Sequence, residues 1–147
     1  MKVKVLIKKL YPDVKQPEYK TSGSSGLDLQ AYIDEDIVIK PNQTKLVPTG
    51  ISVAIPEDFE IQIRPRSGLA LKNNITVLNT PGTVDADYRG EIKIILINLG
   101  QSNFVIKKGD RIAQMVVCPV IKVDFESADE LPGTLRGDGG FGSTGEN

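Results

Sequence analysis

The stretch Ile51-Ser-Val-Ala-Ile-Pro-Glu-Asp-Phe-Glu-Ile-Gln-Ile63 decides the fold. Its halves, Ile51–Ile55 and Phe59–Ile63, carry apolar residues at every second position. That period lines one face of a pleated strand; a helix stripe would recur roughly every 3.6 residues. Between the halves, Pro56-Glu57-Asp58 has the proline and carboxylates that favour a turn.

Working outward, the same pattern repeats. Alternating or β-branched runs occur at Val3–Ile7, Leu27–Tyr32, Ile37–Ile39, Leu46–Val47, Ile75–Leu78, Glu91–Asn98, Phe104–Ile106, Arg111–Val117 and Ile121–Phe125. Turn residues separate many of them, as at Lys40-Pro41-Asn42, Thr49-Gly50, Pro81-Gly82 and Lys108-Gly109-Asp110. About ten short strands at close spacing predict an all-β sandwich or barrel of the jelly-roll kind. The single helical candidate is a short turn at Ser67–Lys72. Residues 1–131 read as one all-β domain and residues 132–147 as a flexible Gly-rich arm.

Composition narrows the function. The 147 residues carry a net charge of −1 with 25% charged residues, so no basic surface for direct nucleic-acid binding is expected. No apolar run approaches the roughly 20 residues that span a bilayer, and the start lacks the apolar core of a signal peptide. Cytoplasm is the expected location. Cys118 is the only cysteine, so no intrachain disulfide can form, and its environment reads as that of a small buried apolar residue. There is no histidine, which excludes His-based triads and His-liganded zinc. Acid–base chemistry falls to carboxylates, Lys, Tyr or Cys.

Five stretches could carry chemistry. Arg64-Pro-Arg-Ser-Gly-Leu-Ala-Leu-Lys72 puts two guanidinium groups and a hydroxyl where a helical turn can begin, a set that suits phosphate; a solvated basic strand end is the plainer reading. In Val77–Glu91, Pro81-Gly82 fits the centre of a type II turn, and strands on either side would make a hairpin with Asn79 and Asp85 near its mouth. Such a hairpin can offer backbone donors and acceptors to a flat heterocycle. Asp85 and Asp87 share a face if the strand runs on, and one could activate water; a surface hairpin with solvated acids is the alternative. Tyr88 could lie against a sugar or ring.

In Gly109–Val116, Gln114 sits between Ile112 and Val116 on an apolar face, either bonded to backbone or touching a ligand. In Ser25–Ala31, Asp28 lies between Leu27 and Leu29, on a wet strand face or as a holder of Mg²⁺. The tail from Arg136 to Gly145 has five glycines in ten residues and cannot bury enough surface to order itself. It is either a frayed terminus or, given its Arg, aromatic and Ser-Thr pair, a grip for phosphate and base.

Together and in this order, Ser25–Ala31, Arg64–Lys72, Gly82–Glu91, Gly109–Val116 and Arg136–Gly145 resemble the five motifs of the trimeric dUTPase family. The fragments Pro65-Arg-Ser-Gly-Leu-Ala70, Asp85-Ala-Asp-Tyr-Arg-Gly90 and Gly139-Gly-Phe-Gly-Ser-Thr-Gly145 carry most of the specificity, and the resemblance spans nearly the whole chain. It implies an all-β jelly roll, a homotrimer with shared active sites, and Mg²⁺-dependent hydrolysis of dUTP to dUMP and pyrophosphate. That reaction removes dUTP from the DNA precursor pool and supplies dUMP for thymidylate synthesis.

The resemblance also implies roles. Asp85 matches the general base on the attacking water, and Tyr88 the ring that stacks on deoxyribose and leaves no room for a ribose hydroxyl. Asn79, Thr83, Val84 and a backbone contact near Lys93 match the uracil pocket. Arg66, Ser67, Gly68 and Gln114 match phosphate contacts, and Asp28 a metal-linked position acting through water. The arm would close over the site, with Arg136 toward the terminal phosphate, Phe141 over uracil, Ser143 and Thr144 toward phosphate oxygens, and Gly142 among the substrate contacts. Departures are small: Ser25-Gly26-Leu27 stands where relatives often carry Ala and Tyr, and Thr83-Val84 replaces a common apolar pair.

Two other readings compete. A dCTP deaminase shares fold and motifs but needs a further acid in the strand after Gly90, where this chain has Ile92-Lys-Ile-Ile-Leu-Ile97. A regulatory nucleotide-binding protein that lost catalysis would not need the intact Asp85 and complete arm.

Overall fold

The alternation of apolar and polar residues is realised as antiparallel pairing throughout a computed structural model that describes residues 1–145. The strands are β1 (Leu6–Lys9), β2 (Leu27–Gln30), β3 (Ile37–Ile39), β4 (Thr44–Pro48), β5 (Ile51–Ala54), β6 (Phe59–Arg64), β7 (Ile75–Val77), β8 (Gly82–Val84), β9 (Lys93–Asn98), β10 (Phe104–Ile106) and β11 (Arg111–Pro119). A helix α1 (Ser67–Asn73) stands between β6 and β7. The architecture is all-β and jelly-roll-like, as expected.

Two sheets position the site. One runs β2-β11-β6-β8 and the other β4-β9-β7; the pairs β1-β5 and β3-β10 flank them. The alternation seen in the sequence becomes burial: Ile61 and Ile63 of β6, Val47 of β4, and Ile94 and Leu96 of β9 all face the core. Fully burying side chains of this size contributes roughly 1.5–3 kcal/mol each against the exposed state. Asn98, at the end of β9, has no exposed surface, yet its amide is satisfied. Its Nδ2 donates to the carbonyls of Ile39 (2.9 Å) and Ser102 (2.8 Å), and its Oδ1 accepts from the Gly100 N–H (2.9 Å). A buried amide left without those partners would cost about 1–3 kcal/mol, so Asn98 fixes where β9 ends and how β3 meets it.

Four expectations need correction. The run Ile121–Phe125 is not a strand: after the Val120 N–H bonds the Asp58 carbonyl (2.8 Å), the chain leaves the sheets, and Ile121, Val123 and Phe125 are 89%, 72% and 92% exposed. Alternation signals a strand only where an edge is available to pair with. The strands around Pro81-Gly82 do not form a hairpin, because β7 pairs with β9 while β8 pairs with β6. Nor is Pro81-Gly82 a type II turn: the Thr80–Pro81 peptide is cis, and Gly82 lacks the positive φ that such a turn requires. Finally, β8 stops at Val84, so Asp85 and Asp87 do not share a strand face. Residues 85–88 instead form a turn closed by the Tyr88 N–H on the Asp85 carbonyl (3.2 Å).

Elsewhere the differences are shifts of boundary. The first strand sits at Leu6–Lys9 rather than Val3–Ile7, and β11 extends to Pro119. Between Arg111 and Ala113 the pairing of β11 with β2 slips, a bulge that interrupts the face alternation expected there.

Candidate functional site

The failed hairpin makes the pocket. Because β7 belongs to one sheet and β8 to the other, the segment from Leu78 to Pro81 crosses between them. The Leu78 N–H still bonds the Ile95 carbonyl (2.8 Å), and the Thr80 hydroxyl donates to the Val77 carbonyl. Beside the crossing lies a pocket of about 320 Å³, lined by Asn79, Thr83, Val84, Asp85, Tyr88 and Lys93 among others. These are the residues expected to form the uracil pocket, together with the expected general base and sugar-facing ring. Gly82 lets the walls close up: a Cβ there would lie 3.1 Å from Ile63 Cβ and 3.2 Å from Asn79 Nδ2.

Asp85 follows the last residue of the edge strand β8, with its side chain exposed. Among the described residues its carboxylate forms no salt bridge, which leaves both oxygens available to accept from water. Its turn is stapled by Arg89, whose guanidinium donates to the carbonyls of Ala86 (2.7 Å) and Tyr88 (3.1 Å). Tyr88 is 45% exposed, and its hydroxyl donates to the Glu91 carbonyl (2.8 Å). The Glu91 carboxylate in turn accepts from the Gly50 N–H (3.0 Å).

A second cluster forms where β2, β11 and the start of α1 meet. Gln114 lies opposite Asp28 across one strand pair and opposite Arg64 across the other. The Asp28 carboxylate faces two guanidinium groups, Arg66 Nε at 3.4 Å and Arg111 at 3.1 Å, and is only 21% exposed. Arg66 also donates to the Arg111 carbonyl (3.2 Å), and Gln114 Nε2 donates to the Pro65 carbonyl (3.0 Å). The latter bond is the backbone contact weighed for Gln114 from the sequence. Ser67 and Gly68 open α1 and are exposed.

The cluster does not build a Mg²⁺ cage. Mg²⁺ needs several oxygen ligands. The oxygens of Asp28 already face arginines, and the described residues hold no group of three or more His, Cys, Asp or Glu that could bind a metal ion.

Within the sheet β2-β11-β6-β8, Asp28 stands on one edge strand and Asp85 follows the other; with neighbouring strands about 4.8 Å apart those two edges lie roughly 14 Å apart, while Gln114 is on β11 and Arg66 follows β6. No residue of the second cluster lines the pocket. The arm is brought to neither: among the described residues its hydrogen bonds from Arg136 to Gly145 stay within residues 134–145, such as Arg136 Nε to the Gly139 carbonyl (2.8 Å). Phe141 is fully exposed, Ser143 and Thr144 are exposed, and among the described residues Gly142 makes only a local turn bond.

A third assembly lies beside the second. Asp13 accepts from the Tyr32 hydroxyl (2.6 Å) and from Lys108 Nζ (2.8 Å). Lys108, foremost, and then Tyr32 hold the Asp13 carboxyl well below its ordinary 3.8, at about 2. Tyr11 stacks on Tyr32 with ring centres 4.5 Å apart, and Lys108 sits over the Tyr32 ring. This clasp pins the segment before β2 against the turn that leads into β11.

Sequence reasoning missed Arg111, which faces Asp28, and Glu91, which lines the pocket. Arg111 and Glu91 lay inside recognised motifs, but their partners come from distant strands. The bond between Glu91 and Gly50 spans 41 positions.

The dUTPase family model matches residues 13–145. A deoxyuridine 5'-triphosphate nucleotidohydrolase of Hydrogenobaculum sp. (strain Y04AAS1) is 59% identical over 97% of this chain and 99% of its own length. One of Treponema denticola is 61% identical over 88% and 90%. A dUTPase of Staphylococcus bacteriophage 80alpha, solved with dUpNHpp, superposes with a TM-score of 0.87 at 25% identity, covering 97% of this chain and 98% of that one. The chain belongs to the dUTPase family.

Proposed function

We propose that the chain carries out its family's reaction, hydrolysis of dUTP to dUMP and pyrophosphate, with the base and sugar in the pocket between the sheets. The observation that carries this reading is the convergence of Asn79, Thr83, Asp85, Tyr88 and Lys93 on one pocket from separate elements. Backbone groups beside Asn79 and Lys93 would pair with the uracil edge. A thymine methyl would clash there, and cytosine would set donor against donor. Tyr88 would lie along the deoxyribose. Mismatched buried polar groups discriminate strongly, so a small pocket suffices.

Asp85 would take a proton from a water aimed in line at the α-phosphorus, and pyrophosphate would leave. Such chemistry rests on positioning and charge neutralisation, which Arg66 and Arg136 would supply, with Ser67, Gly68 and Gln114 orienting the phosphates. Mg²⁺, when bound with the substrate, would supply further charge neutralisation, and Asp28 is the residue that would help to hold it, through water. The arm from residue 132 would then close, placing Phe141 over the base and Gly142, Ser143 and Thr144 beside the phosphates.

That no residue of the Asp28–Arg66 cluster lines the pocket favours a shared site, in which the pocket of one chain meets the Asp28–Arg66 cluster of another in a homotrimer. We place this enzyme in the cytoplasm; among the described residues no helix is long and apolar enough to cross a membrane. Mixing inactive Asp85→Asn chains with inactive Arg66→Ala chains tests the sharing. If the groups come from different chains, an equal mixture should reconstitute about a quarter of the sites. If both act from one chain, the mixture stays inactive.

A further inference from the structure

We infer that Gly90 is a positioning residue that sets the sugar specificity of the site, because its missing Cβ is the seat on which the Tyr88 ring lies. This rests on the reading above in one respect, that Tyr88 faces the sugar.

The three atoms nearest to a Cβ built on Gly90 all belong to Tyr88: it would lie 2.5 Å from Cζ and 3.0 Å from Cε2, and it would overlap the hydroxyl oxygen. Real side chains essentially never come so close, so one group must move. The backbone does not call for glycine on its own account, since Gly90 is absent from the positive-φ residues. An alanine could therefore take up the same backbone, and the displaced group would be the ring. Tyrosine has two side-chain torsions, and Tyr88 is nearly half exposed and outside the buried core, so it can swing without disturbing the core.

The rest of the seat keeps the ring down. The Tyr88 hydroxyl is held by the Glu91 carbonyl at 2.8 Å. Glu91 is tied by its carboxylate to the Gly50 N–H at 3.0 Å, in the turn that carries the chain from β4 to β5. The ring is thus latched at its far end to a residue anchored on another part of the fold, and the latch closes only if nothing projects from Gly90. Because Tyr88 lines the pocket, lifting its ring changes the room left for the sugar. An added methyl at Gly90 acts on specificity without touching substrate.

The test measures kcat/KM for dUTP and UTP in the wild type, Gly90→Ala, Tyr88→Ala and the double variant. Gly90→Ala should lower the dUTP-over-UTP preference by roughly 10- to 100-fold, as misplacement of a positioned group does. In the Tyr88→Ala background the same change should alter the preference by no more than about twofold, because no ring remains to displace. An equal effect in both backgrounds would overturn the inference in favour of general damage. A Gly90→Ala enzyme that keeps its preference while Tyr88→Ala loses it would also overturn it, leaving the reading of Tyr88 intact. If Tyr88→Ala keeps the preference, that reading fails and takes the inference with it. Should Gly90→Ala fail to fold, a double variant with a wild-type melting curve supports the ring as the obstacle, and a double variant that also fails to fold rejects it.

Discussion

The pocket at the sheet crossing and the glycine-rich arm are both rich in residues expected to touch substrate, but they are built in opposite ways. The walls of the pocket are held in place: Thr83 pairs across to Gln62, Lys93 to Pro48, and Tyr88 is latched to Glu91, just ahead of β9. The arm has only short turns, and Phe141 and Leu135 are fully exposed. The N-terminal segment shows what separates the two. It too lacks strand structure between Leu10 and Gly26, yet Val14 is 7% exposed and the Asp13–Tyr32–Lys108 clasp holds it in place. Irregular chain is fixed when it buries an anchor and closes a polar network; the arm does neither. In the proposed function the pocket selects the base and aims the water, and the arm orders on substrate and excludes solvent afterwards.

The comparison can be broken first at the pocket. Asp85→Asn keeps the shape of the pocket and removes the base, so kcat should fall by roughly 1,000-fold while dUTP binding, measured by calorimetry, changes little. Lost binding with normal residual turnover would place the base elsewhere. The next largest effect belongs to the arm. Cutting the chain after Leu131 should lower activity by roughly 100-fold and leave the melting temperature unchanged, because the arm contributes positioning and no packing. Full activity after truncation would remove the arm from the site.

The smallest effect sharpens the contrast with the N-terminal segment. The depressed pKa of Asp13 means that its ion pair and hydrogen bond contribute fully above its unfolded value near 4, and that the contribution is lost as pH falls toward about 2. Asp13→Asn should therefore leave dUTP turnover at neutral pH unchanged and flatten the acid limb of stability between about pH 4 and pH 2. A variant with the wild-type acid limb would show that the clasp does not hold the segment.

Much of this was legible in the sequence, and the exceptions have physical causes. The runs Ile37–Ile39, Ile51–Ile55 and Phe59–Ile63 lie in the sheets because their period of two matches a face that is buried. The type of element is local information. Pairing is not, and the hairpin around Pro81-Gly82 was misread because nothing local says that β7 and β8 join different sheets. Ile121–Phe125 has the period of a strand without an edge beside it. The residues expected to form the pocket could be named from their motif and do converge, but the seat under Tyr88 could not. Gly90 reads as one more loop glycine until the ring is seen lying over it. The Asp28 pair of arginines was hidden in the same way, since Arg66 and Arg111 come from motifs 45 positions apart.

The central claim is that this pocket selects and hydrolyses dUTP, and the direct test is pyrophosphate release with Mg²⁺ from dUTP beside dTTP, dCTP and UTP. Turnover of dUTP alone is the predicted result, since the uracil edge and the Tyr88 ring each exclude one kind of competitor. Comparable turnover of all four, or binding of dUTP with no release of pyrophosphate, would contradict it.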